Sequence, residues 1–145
     1  MLKLAFSPGK GRGVFAARKI SAGEIIEECP VIIVPSRERE NLKKTVLIHY
    51  FFQWGDAPGS DCAICLGLGS IYNHAEVPNA KYFRLFESFL IRFVALKEIL
   101  EGEEICTNYN GKQQGRSFYN FDTPTCSSAS SNANATLRTG QKSAG

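Results

Sequence analysis

Gly69-Ser70-Ile71-Tyr72-Asn73-His74-Ala75-Glu76-Val77-Pro78-Asn79 is the stretch on which the reading of this chain turns. It is a polar cluster set directly after an apolar run that starts at Cys62. Asn73 and His74 are adjacent, and Pro78-Asn79 follows shortly after. As bare chemistry the cluster allows two interpretations. One is a satisfied polar turn in which Asn73 and Asn79 cap backbone groups. The other is a ligand site in which the Asn73 amide offers both a donor and an acceptor to a heteroaromatic ring or an amino group.

Two flanking stretches widen the picture. Ser7-Pro8-Gly9-Lys10-Gly11-Arg12-Gly13 reads as a turn-rich loop ahead of a short strand at residues 14–17. Its alternate glycines allow unusual backbone angles and close approach. It is not a P-loop, because no Ser or Thr follows the lysine. No strand-turn-helix pattern surrounds it, which excludes a dinucleotide fingerprint. What remains is a surface turn or a backbone cradle, with Lys10 or Arg12 near a ligand carboxylate. On the other side, residues 104–109 read as a strand ending in Tyr109, with Asn110-Gly111 as the turn signal. Tyr109 is then either a half-buried aromatic or a phenol aimed into a site.

The rest of the chain is mostly short strands. Residues 24–34 are rich in Ile and Val, with Pro30 marking an edge or a bulge. Residues 80–86 and 89–95 pair around Glu87-Ser88. Between residues 37 and 54, Leu42, Val46, Leu47, Tyr50, Phe51 and Trp54 recur at helical gaps, which predicts a helix or helical turns. Turns fall at 20–24 and 99–102, and polar loops at 55–60 and 73–79. Residues 123–145 are mostly Thr, Ser, Asn, Ala and Gly. Such a tail cannot bury enough surface to offset its ordering entropy, so disorder is expected beyond a domain at 1–122.

Composition narrows the class. With 145 residues and 43% hydrophobic content, the chain suits one domain with a real core. No window is apolar enough for a membrane span, and the N-terminus lacks a signal-peptide core. An intracellular, soluble protein of cytoplasm or nucleus is expected. The net charge of +3 does not demand nucleic acid, and no direct contact with it is expected. Five irregularly spaced cysteines argue against a disulfide framework. Cys62 and Cys65 have ligand-like spacing without a second pair, so the cysteines read as packing residues and no metal is expected.

Four segments, taken in order, resemble the SET-domain family. They are Gly11-Arg12-Gly13-Val14-Phe15, Gly23-Glu24-Ile25-Ile26, Asn73-His74 with Pro78-Asn79, and Gly102-Glu103-Glu104-Ile105 with Tyr109. The resemblance covers residues 3–121 and is to the small stand-alone members of bacteria and large viruses. It implies a mainly β fold of small curved sheets, few short helices and a pseudoknot-like C-terminal threading. That threading sets the Asn-His segment beside the strand that ends in tyrosine. The implied activity is protein-lysine methylation from S-adenosylmethionine, leaving S-adenosylhomocysteine. Donor and peptide would bind on opposite faces of a narrow channel.

Residue by residue, the resemblance implies that Lys10, Gly11, Arg12 and Gly13 cradle the methionine part of the donor. Asn73 and His74 would hold its amino and adenine groups, and Tyr109 would stand at the transfer point. Tyr119, ahead of Phe118 and Phe121, is the expected adenine-stacking ring. Tyr50 and Tyr82 are expected to line the lysine channel, while Tyr72 packs. Two departures stand out: Ala75 replaces the usual Ser after His, and Cys126 alone cannot build a Cys-rich closing module. The implied partner is a lysine-bearing protein, a histone tail by default, and a homodimer is also compatible. The alternative is a catalytically inactive SET-like module that binds peptide or cofactor. Asn73, His74 and Tyr109, all present, favour the enzyme.

Overall fold

The computed structural model describes residues 2–109. As expected, the fold is mainly β. In chain order the elements are β1 (Leu2–Ser7), β2 (Gly11–Ala16), β3 (Ile25–Val34), α1 (Arg39–Leu42), β4 (Phe51–Trp54), β5 (Asp61–Cys65), β6 (Asn73–His74), β7 (Ala80–Leu85), β8 (Leu90–Ala95) and β9 (Glu104–Thr107). One sheet has the order β1-β2-β9-β6 and the other β4-β5-β3-β8-β7. The pairing of β6 with β9 is parallel, and the remaining ladders are antiparallel.

The expected loop at residues 7–13 shrinks to a tight turn. The Lys10 amide donates to the Ser7 carbonyl at 3.0 Å, across Pro8 and Gly9. Gly9 has φ +74, so Pro then Gly satisfy the two corners of a type II turn. Gly11, Arg12 and Gly13 already lie in β2, opposite Ser7, Phe6 and Ala5 of β1. Pairing with β1, an element the composition did not announce, overrides the loop signal of the glycines.

Pro30 marks neither an edge nor a bulge. It sits mid-strand in β3, which pairs with β8 up to Pro30 and with β5 from Val31 onward. Its carbonyl accepts from the Leu66 amide at 2.9 Å, one residue past the end of β5. A missing N–H is tolerated at such a ladder end. The irregularity in β3 lies instead between Ile25 and Glu27.

The helical reading of residues 37–54 holds only for its first part. Two 3-10 turns, Ser36–Glu38 and Val46–His49, flank α1. Thr45 caps the second, its hydroxyl oxygen accepting from the Leu47 amide. Phe51 and Trp54 belong to β4, opposite Ile64 and Asp61. Spacings of three and four over so short a run fit either period, and the ladder with β5 decides it.

Phe93 anchors the core. It is fully buried, with ring centroids 4.5 Å from Tyr72, 6.1 Å from Tyr82 and 6.2 Å from Phe52. Val14, Ile91, Ile99 and Ile105 complete the interior between the sheets. Cys29, Cys62, Cys65 and Cys106 are buried free thiols, and Cys126 lies outside the described residues. So does the tail at 123–145. Among the described residues no helix is long and apolar enough to cross a membrane.

Burial gives the fold an alkaline limit. The Cys29 thiol is pushed up by its contact with Cys65 and by burial, and burial does the same to Cys62 and Cys106. The Tyr72 phenol is pushed up by burial and by the Glu27 carboxylate. These groups hold their protons more tightly in the folded chain than in the unfolded one. Their contribution is whole below the ordinary thiol value of 9.0 and is lost as pH climbs from there through the raised folded values. The urea midpoint should therefore be level from pH 7 to 8 and fall between pH 9 and 11. A midpoint that holds to pH 11 would contradict this account.

Candidate functional site

The site grows from the contact between β6 and β9. Asn73 lies beside Cys106 and His74 beside Thr107, and the Ala75 amide continues the ladder to the Thr107 carbonyl at 3.0 Å. Ala75 thus serves through its backbone, which any side chain allows. Asn79 extends the connection: its Nδ2 donates to the Glu104 carbonyl at 2.8 Å and its Oδ1 accepts from the Cys106 amide at 2.9 Å. One side-chain amide thereby stands in for a strand residue along β9. The backbone-capping reading suits Asn79.

Asn73 is held differently. Its Nδ2 donates to the Arg12 carbonyl at 3.0 Å and to Glu104 Oε1 at 2.7 Å. Both amide hydrogens are engaged, so Asn73 offers only its Oδ1, an acceptor, and not the donor–acceptor pair expected from sequence. A Cβ on Gly13 would stand 3.1 Å from Asn73 Nδ2 and overlap Glu104 Oε1. The glycine makes room for these two side chains. Gly11, at φ +84, has no atom within 4 Å of where a Cβ would be, so its surroundings are open. Lys10 Nζ reaches over the same edge, 3.3 Å from the His74 carbonyl and 3.9 Å from Glu104 Oε2.

His74 and Tyr109 pack together, with ring centroids 5.2 Å apart. The Tyr109 amide donates to His74 Nδ1 at 3.1 Å, which makes Nδ1 an acceptor and leaves Nε2 to carry the proton of the neutral ring. Tyr109 lies two residues beyond the end of β9. Its hydroxyl donates to the Tyr72 carbonyl at 2.5 Å. Tyr72 is buried, as expected, and its hydroxyl donates to Glu27 Oε2 at 2.9 Å. Glu27 Oε1 also accepts from the Leu68 amide at 3.0 Å. The Tyr109 phenol is raised above its ordinary value, first by burial and then by the negative forms of Cys106, Tyr50 and Glu104.

The structure thus gathers Lys10, the backbone at Arg12 and Gly13, Asn73, His74 and Tyr109. The half-buried Tyr50, just past the second 3-10 turn, is near enough to influence the Tyr109 phenol. Tyr82 is half-buried on β7, edge-on to Phe52 at 4.9 Å, and is linked to Tyr72 through Phe93. Tyr119, with Phe118 and Phe121, lies outside the described residues. Sequence reasoning assigned no site role to Glu104 or Ser7. Ser7 Oγ donates to Glu104 Oε2 at 3.0 Å, Glu104 in turn holds Asn73, and Glu27 holds Tyr72. The Gly-Glu-Glu motif was the available signal, but acids beside a turn usually face solvent.

Small twisted sheets and a short parallel crossing, with Asn-His on one side and a tyrosine past the other, define a SET domain. The family's model matches residues 11–110, and the chain belongs to this family. Among particular relatives, it is 35% identical over 109 residues to the H3 lysine-37 specific histone-lysine N-methyltransferase of Schizosaccharomyces pombe, covering 74% of this chain and 72% of that protein. It is 32% identical over 94 residues to the protein-lysine N-trimethyltransferase SMYD5 of Danio rerio, covering 61% of this chain and 22% of that protein. A solved Plasmodium falciparum protein described as a histone methyltransferase has a TM-score of 0.59 and 26% identity, covering 75% of this chain and 96% of that one. The Polycomb Repressive Complex 2 of Chaetomium thermophilum, at TM-score 0.64 and 23% identity, covers 77% of this chain and 15% of that one and shares the fold.

The role of Asn79 is open to direct measurement. Asn79→Asp keeps the acceptor for the Cys106 amide but sets a carboxylate oxygen against the Glu104 carbonyl. It should lower unfolding free energy by about 2 kcal/mol, within the range for a partly buried group left without its partner. Chemical denaturation of both proteins checks this, and equal stability would remove Asn79 from the crossing.

Proposed function

We propose that this SET-domain chain is a protein-lysine methyltransferase that takes its methyl group from S-adenosylmethionine. One observation carries the reading: Tyr109 is packed on His74, and its hydroxyl is held by the carbonyl of Tyr72, beside an Asn73 whose Nδ2 is doubly engaged and whose side chain therefore has only an acceptor to offer. The donor set suits the amino-acid end of this cofactor. Asn73 Oδ1 is matched to an ammonium. Lys10 and Arg12 supply cations for a carboxylate, and the open backbone at Gly11 admits a ligand closely. His74 would help to hold the adenine end, and Tyr119 would stack on it. When bound, the cofactor supplies an electrophilic methyl group on a sulfonium.

The chain's own residues must then present a neutral, aligned lysine amine. From an ordinary value near 10.4, deprotonation at pH 7 costs roughly 4–5 kcal/mol. A water-poor channel lowers that by disfavouring the ammonium. Tyr109, 55% exposed, keeps its proton near neutrality as an ordinary phenol does, and its shift is upward, away from ionisation, so it does not act as a phenolate base. It donates to the Tyr72 carbonyl and retains lone pairs that can accept an N–H of the incoming amine. That contact points the amine lone pair, which is the catalytic requirement here. Tyr50 and Tyr82 are proposed to line the approach. The names of the fission-yeast and Plasmodium proteins support a histone tail as substrate class.

Tyr109→Phe separates alignment from binding. Turnover on a histone H3 substrate should fall roughly 100-fold, the scale of losing one oriented polar group at a reacting centre. The dissociation constant for S-adenosylhomocysteine should change less than about threefold, less than the loss of a typical hydrogen bond. Radiolabel transfer and calorimetry measure the two. Equal weakening of both would place Tyr109 away from the transfer point, and a folded wild-type chain that ignores S-adenosylhomocysteine would refute the proposal.

A further inference from the structure

Ser7, Lys10 and Asn73 converge on the carboxylate of Glu104, from β1, the turn after it and β6. The Glu104 side chain is only 20% exposed, too enclosed for an idle surface acid. Its effect on Asn73 is specific. The two ends of an amide are nearly the same size, so a half-turn of the side chain would exchange NH2 and Oδ1. In that orientation Asn73 Oδ1 would oppose the Arg12 carbonyl and the Glu104 carboxylate, neither of which has a hydrogen to give. Oxygen facing oxygen leaves polar groups unpaired in a partly enclosed place, which is unfavourable. The Arg12 carbonyl and the Glu104 carboxylate together therefore favour one orientation of the amide.

We infer that Glu104 is a positioning residue that makes the donor site selective for ligands carrying an α-ammonium group. It acts through Asn73, whose oxygen it helps to keep as the free acceptor, and adds negative potential beside the place where that ammonium binds. Gly13 belongs to the same device, because only a residue without a side chain lets Glu104 and Asn73 lie against β2. The inference rests on the proposal that the amino-acid end of S-adenosylmethionine binds here, and it goes beyond that proposal by naming what discriminates between ligands.

A glutamine at position 104 can accept from Asn73 Nδ2 or donate to Asn73 Oδ1, so Glu104→Gln removes the charged one of the two acceptors that fix the amide and leaves the Arg12 carbonyl as the other. An aspartate keeps the anion. The test is calorimetry on the full chain with S-adenosylhomocysteine and with its deaminated analogue. The wild type should prefer the amino compound by roughly tenfold or more, the scale of a hydrogen bond to a charged group. Glu104→Gln should shrink this ratio by at least about threefold, the Arg12 carbonyl keeping part of it, and Glu104→Asp should restore most of the loss, since only the aspartate is acceptor-only. Should Glu104→Gln not fold, Gly13→Ala, which pushes the carboxylate aside, should lower the ratio in the same direction. A wild-type ratio retained in Glu104→Gln, or in Gly13→Ala where that variant decides, overturns the inference. A wild type that binds both compounds equally overturns it too, yet leaves the proposed function standing. A wild type that binds neither removes both.

Discussion

Two adjacent residue pairs hold the site together: Asn73 beside Cys106 and His74 beside Thr107. A parallel ladder this short is weak by itself, since each backbone hydrogen bond contributes only about 1 kcal/mol net. It persists because it is bordered on both sides. The Ala75 amide carries it one step further, and the Asn79 side chain reads the backbone of β9 at residues 104 and 106. Four groups of the site then inherit their places from this crossing. Asn73 and His74 arrive on one strand, Glu104 and Tyr109 on or just beyond the other.

The arrangement separates two tasks by chemistry. On one side, acceptors and cations surround an open stretch of backbone, with Lys10 and Glu104 in loose contact and Asn73 left with only its oxygen to offer. On the other, aromatic rings and carbonyls dominate, from Tyr109 through Tyr72 and Phe93 to Tyr82. The boundary between them is the peptide segment at Tyr72 and Asn73. Tyr72 is anchored from below by the Glu27 carboxylate, which also ties down the Leu68 amide. A rigid partition suits a reaction whose main demand is alignment.

Much of this was legible from residues alone, and the exceptions have physical causes. Ile and Val content announced β3, and the break at Glu87-Ser88 announced the β7–β8 hairpin. The Asn-His pair and the terminal tyrosine announced the site. The glycines before Val14 misled, because glycine's local preference for turns is overruled when a neighbouring strand, β1, supplies hydrogen-bond partners. Phe51 and Trp54 misled because a four-residue strand is too short to display its period. Glu104 was invisible as a functional residue. Its significance depends on Ser7 and Asn73, distant in sequence, and no local pattern distinguishes it from Glu103 beside it.

Pro30 carries a consequence for how the chain reaches its crossing. Lacking an amide hydrogen, it acts as a zipper stop: its carbonyl accepts from the Leu66 amide, but it has no hydrogen to return, and the β3–β5 ladder closes there. Had that ladder run on, residues 66–69 would have been drawn along β3. Released instead, they bend under Glu27 and lead into Tyr72 and Asn73. A ring closed on one backbone nitrogen thus meters the length of chain delivered to a site in the other sheet.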